Sequence, residues 1–267
     1  MKKYLTYFKI RLIRGLQYRV AAYAGMATQF AWGFMEIFAF SAFYRSNPSA
    51  FPMEFSALSS YIWLQQAFLA LYMLWFLDME ILEQISSGNI AYEMIRPIAL
   101  YPLWFLKNLS LRISKAILRC FPILLVTFFL PKPYGLALPS SLTTLLLFLA
   151  SAALSLMVVV AFTMFVYIFS FYTLNSAGIR LVILSATELL TGAVIPLPFF
   201  PEKIRMILEL LPFAAMQNIP FRIYSGNLMG PVIVQALLLQ VFWAIVLIAL
   251  GSWWLNKILR YIIIQGG

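Results

Sequence analysis

Residues 142–171 form a run of thirty without one charged side chain, and residues 231–255 form an uncharged run of twenty-five. A helix of about 20 apolar residues matches the hydrocarbon core of a bilayer. Four further segments come close to the same standard, at 20–44, 61–77, 113–130 and 179–195. The runs are continuous rather than alternating, which argues against the strands of an outer-membrane barrel. Composition agrees: 63% of the 267 residues are hydrophobic and 10% charged, against about 45–50% and roughly 25% in soluble domains. A single soluble domain of this length has too much surface to hide so much apolar material. The fold expected is an all-α integral membrane protein with six transmembrane helices.

Six spans place both termini on one side. Fourteen Lys and Arg fall in the N-terminal arm, the connection from span two into span three, the connection at Arg180 and the tail at Lys257 and Arg260; five fall on the other side. That excess puts both termini in the cytoplasm of a cell-membrane protein. The net charge of +10 therefore points to anionic lipid surfaces rather than to nucleic acid. No apolar stretch with a small-residue cleavage site follows Lys2 and Lys3 at once, so no cleaved signal peptide is expected. With no His and a single Cys, Cys120, the chain offers neither a disulfide framework nor a Cys/His metal site. No metal-binding or catalytic residues are assigned.

Four stretches between and within the runs stand out. In residues 1–19, Leu5, Phe8, Leu12 and Leu16 recur at helical spacing, with Lys3, Tyr7 and Arg14 roughly opposite. This suits an amphipathic helix in the cytoplasmic interface, or simply a basic topogenic flank. Residues 78–97 bring three early acids, a turn at Ser86-Ser87-Gly88-Asn89, and a short run stopped by Pro97. The result is a compact element suited to docking in a partner's groove, or an ordinary cytoplasmic loop. Asn108, Arg112, Lys115 and Arg119 share one face of a helix. Arg112 and Lys115 are expected to touch lipid headgroups or an inner vestibule, and Arg119 lies deepest. Glu36 and Glu188 each sit mid-segment, where an acid is costly unless paired, protonated or watered. They are structural acids bonded to Gln29, Gln65, Gln66, Gln235 or Gln240, or they face a pathway for cationic cargo, with span-one aromatics adding cation–π contacts. Residues 196–230 are too polar and Pro-interrupted to span, and read as short helices lying in, or dipping into, the outer leaflet.

The string Ser87-Gly88-Asn89-Ile90-Ala91-Tyr92-Glu93-Met94-Ile95-Arg96-Pro97, set after span two behind a basic arm, resembles type-2 ABC exporter permeases. The likeness is to the branch whose first cytoplasmic loop carries G-x-I-A-Y-E-L-x-R-P, with Met94 in place of Leu. The resemblance implies a coupling helix carrying Gly88, Ile90, Tyr92, Glu93, Arg96 and Pro97, which seats in a separate ATP-binding subunit. It also implies a second permease half, identical or related, and outer-leaflet helices between spans five and six. No Walker-type G-x-x-x-x-G-K-[ST] occurs, so no cofactor is expected in this chain, and ATP and Mg belong to the ATPase. Antibiotics, peptides, lipids and cationic drugs are all cargoes of similar permeases. An intramembrane lipid-modifying enzyme would need a polar catalytic cluster, which a chain without His and with isolated acids does not favour. A proton-coupled secondary transporter would be favoured by internal repeats, and none is visible.

Overall fold

A computed structural model describes residues 2–17, 19–173 and 176–260. Outside it lie residues 1 and 18 of the expected arm, part of the connection between the fourth and fifth expected spans, and residues 261–267. The described residues form twelve α-helices and two short 3-10 turns, with no strand: α1 (Lys2–Gly15), α2 (Arg19–Ser46), α3 (Phe55–Ala67), α4 (Leu69–Tyr72), α5 (Met79–Ser86), α6 (Ile90–Met94), α7 (Leu100–Phe128), α8 (Leu142–Ser170), α9 (Ser176–Leu190), α10 (Glu202–Leu210), α11 (Asn218–Tyr224) and α12 (Pro231–Leu259).

Among the described residues, α8 and α12 are long and apolar enough to cross a membrane. At 29 residues each, they extend about 43 Å at 1.5 Å per residue. α2 and α7 match them in length but carry charges along their course. α8 is the centre of the molecule. Val158, Val159, Val160, Ala161 and Met164 have no exposure, and α12, α11, α7 and α9 pack around it. Packing in such an apolar setting is tied by buried polar contacts. Gln240 of α12 donates to Ser155 Oγ at 2.7 Å and to the Ala215 carbonyl at 3.1 Å, and accepts from Ser151 Oγ at 2.9 Å.

The segment expected as span two is not one helix. α3 stops at Ala67, α4 adds one turn, and the backbone is extended at Met73. No Pro or Gly marks the break. It is held from α7, where the Arg112 guanidinium donates to the carbonyls of Leu71 (3.0 Å) and Met73 (2.8 Å) and to Thr163 Oγ1 (3.0 Å). A cation at a helix C-terminus satisfies carbonyls that have no intrahelical donor. The helix in the fifth expected span ends at Leu190 rather than 195. Residues 196–230 hold short helices, of which α11 lies buried against α8 and α3. α10 exposes Ile204, Met206, Ile207 and Leu210.

Candidate functional site: a braced loop element and a polar cavity

Asp78 begins α5 by accepting the Glu80 N–H at 3.1 Å, an N-cap contact. Its own N–H donates to the Tyr167 hydroxyl at 2.8 Å, which in turn donates to Asn108 Oδ1 at 2.7 Å. α5 buries Ile81 and Leu82 and stops at Ser87. Gly88 then adopts φ +76°, a conformation that a Cβ disfavours. The reversal launches α6, five residues long, and Pro97, which has no N–H, follows its end. α6 turns Ile90 and Glu93 inward while Tyr92 (67%) and Ile95 (82%) remain exposed.

The inward face is pinned by charge. Glu93 Oε1 accepts from Lys107 Nζ at 2.9 Å, and its Oε2 accepts from Trp104 Nε1 at 2.9 Å. Lys107 also lies 3.5 Å from Glu80, which pairs with Arg11 of α1. Burial opposes charge at Glu80, yet Arg11 and Lys107 hold its carboxyl below the usual range. α1 closes the element from the other side: Lys3 Nζ donates to the Pro97 carbonyl at 2.6 Å, and the Tyr4 hydroxyl accepts the Ala99 N–H at 3.1 Å. Tyr7, expected opposite the apolar stripe, instead faces the protein and accepts from Arg11 Nε at 3.0 Å. Leu5, expected in the stripe, is exposed. The i, i+3 spacing of Glu93 and Arg96 does not yield a pair. Glu93 sits on the buried face, whereas Arg96 lies beyond the helix and is exposed.

A cavity of about 850 Å³ opens between α2, α3, α4, α7 and the end of α9, within the range of small-molecule sites. Glu36, Glu188 and Arg119, far apart in sequence, all line it. Its polar wall is rich in acceptors. Gln29 donates its amide to the Gln66 carbonyl at 2.8 Å, and Gln65 donates to the Ala193 carbonyl at 2.5 Å. These bonds fix the amide orientations. The side-chain oxygens of Gln29, Gln65 and Gln66 and one oxygen of Glu36 are then buried with no partner among the described residues. Trp32, Trp75 and Phe76 supply aromatic walls. Gln240 serves the α8–α12 contact, and Gln235 is exposed.

The cationic stripe on α7 divides. Asn108 and Arg112 are fully buried against α8 and the α4 break. Arg112 is therefore not a headgroup or vestibule contact: the face that bears it is covered by protein. Lys115 and Arg119 turn the other way, and both stand over the Phe76 ring, at 4.8 and 5.7 Å. Lys107 and Trp104 were missing from the expected site. Their i, i+3 spacing placed them on one face, but only the folded chain brings Glu93 to that face.

A family model described as "ABC-2 family transporter protein" matches residues 30–266. No curated protein and no solved structure shows a match.

Proposed function

The chain belongs to the ABC-2 family of transporter proteins, and on that footing we propose that it is the transmembrane permease subunit of an ATP-driven exporter in the cell membrane. It contributes half of a translocation pathway, beside an identical or related second half, and couples to a separate ATP-hydrolysing subunit that holds the ATP and Mg. α2, the broken α3–α4 segment, α7, α8, α9 and α12 are the six spans, and both termini are cytoplasmic. α1 lies in the inner interface, and α10 presents its apolar face to the outer leaflet.

The observation that carries this reading is the build of α5 and α6. Tyr92 and Ile95 form an exposed apolar tip, while Glu93 anchors the same short helix to α7 through Lys107 and Trp104. A docked subunit can push such a tip, and the buried ion pair delivers the push to α7 rather than dissipating it in a loop. α7 carries Arg119 into the cavity, so motion at the coupling element reaches the pathway through one rigid helix. The unpartnered acceptors favour cargo that carries hydrogen-bond donors, such as the amines of cationic amphiphiles.

The test is export from proteoliposomes containing this chain and its ATPase. Export should require ATP hydrolysis and persist when a proton ionophore collapses the pH gradient. Export that stops with the ionophore while ATP remains would make the chain a proton-coupled carrier instead.

A further inference from the structure

A second cavity, of about 260 Å³, lies where α1 packs on α7. Its charged lining comprises Arg11, Arg14, Lys107, Lys115 and Arg119, with Asp78 as the one carboxylate. The cations are not equally satisfied. Arg11 and Lys107 are neutralised by Glu80 and Glu93. Asp78 is engaged at the start of α5, and burial pushes its carboxyl up, against the pull of Arg11 and Lys107. Among the described residues, no carboxylate lies within ion-pair distance of Arg14, Lys115 or Arg119.

Two of those three are held in place. Lys115 and Arg119 stack over Phe76, which locates them without cancelling their charge. Arg119 also keeps a buried Nε with no partner among the described residues. Gly25 of α2 leaves the gap that its guanidinium fills, since a Cβ there would stand 2.7 Å from it. Like charges gathered in a partly buried cleft are costly unless a counter-charge joins them. A group with several oxygens and at least one negative charge suits guanidinium and ammonium donors converging from two helices.

We propose that the α1–α7 cleft binds a phosphate-bearing anion, with Arg14, Lys115 and Arg119 as its donors. Such an anion would be a second tie between α1 and α7, beside the Arg11–Glu80–Lys107–Glu93 chain. Arg119 also lines the larger cavity, whereas Arg14 and Lys115 line the cleft alone, and anion binding there is read without export. A phospholipid headgroup and a free phosphate offer the same chemistry, and α1 in the interface makes the headgroup accessible.

The experiment uses the full-length protein in phosphatidylcholine nanodiscs doped with phosphatidylglycerol. Native mass spectrometry counts the phosphatidylglycerol retained on the released protein. A parallel arm titrates inorganic phosphate into discs of phosphatidylcholine alone. At about 1 kcal/mol per cation near a membrane surface, each lost charge should weaken retention about fivefold. Lys115→Gln with Arg119→Gln should then weaken it about 25-fold by the same reckoning. Arg14→Gln should weaken it singly, and Gly25→Ala should weaken it without removing a charge, by displacing the Arg119 guanidinium. Lys203→Gln, remote from the cleft, should retain the wild-type count. Saturable phosphate binding that competes with the lipid identifies a soluble anion as the occupant; lipid retention unaffected by phosphate identifies a headgroup. Should the double variant fail to fold, Arg14→Gln and the phosphate titration decide. Equal lipid retention by wild type and the Arg14→Gln or double variant, together with no saturable phosphate binding, overturns the proposal.

Discussion

Glu93 and Arg96 are three residues apart, yet they are expected to respond very differently to substitution. Glu93 and Lys107 are buried together at 2.9 Å, so removing one partner strands the other. Glu93→Ala should lower stability by about 3–5 kcal/mol, read as an earlier thermal unfolding midpoint in detergent. Glu93→Gln with Lys107→Met should recover much of that loss, because uncharged side chains of similar size at both positions leave no stranded charge. Arg96→Ala, at an exposed position, should stay within about 0.5 kcal/mol. Comparable losses for Glu93→Ala and Arg96→Ala would show that the Lys107 contact is not what holds α6. At this scale the sequence was informative where a residue is costly by itself: Glu36 and Glu188 stand out because acids in apolar helices are rare, and they do share a cavity. Arg112 was misread because helical spacing tells which residues share a face but not what covers it. Its partners, Leu71 and Met73, are 41 and 39 residues away.

Helices that are apolar all round, such as α8 and α12, were legible from composition. The break at Met73 was not, because its cause is a guanidinium on another helix. The turn at Gly88 was legible because only glycine adopts φ +76° at little cost. Gly88→Ala should therefore cost about 1–2 kcal/mol locally and slow ATP-driven export more than it lowers membrane insertion. Unchanged export would mean that the α5–α6 geometry is not mechanically important. The docking of α1 has a pH signature. Glu80 has a lowered value in the fold, so its contribution is present above its unfolded value of about 4.3 and is lost as pH falls through the lower folded value. Hydrogen exchange in α1 should be insensitive to acidification from about pH 8 to pH 5, once intrinsic rates are corrected, and should accelerate below about pH 4. Acceleration near neutrality would implicate another group.

Over the whole molecule, the proposed orientation rests on the charge asymmetry. Cysteines placed at Arg180 and Lys257 on a Cys120→Ser background should label from the cytoplasm, and one at Lys203 from outside. Cytoplasmic labelling of Lys203→Cys would invert the arrangement. The central claim is that the exposed tip of α6 is where a separate ATPase engages, with Glu93 and Lys107 carrying the load behind it. It is tested most directly by recovering the complex from membranes that co-express this chain and its ATPase. Wild type should retain the ATPase. Tyr92→Ser with Ile95→Ser should insert normally, keep the unfolding midpoint of wild type, and lose most of the bound ATPase together with ATP-driven export. Undiminished ATPase recovery and export by that double variant would contradict the claim.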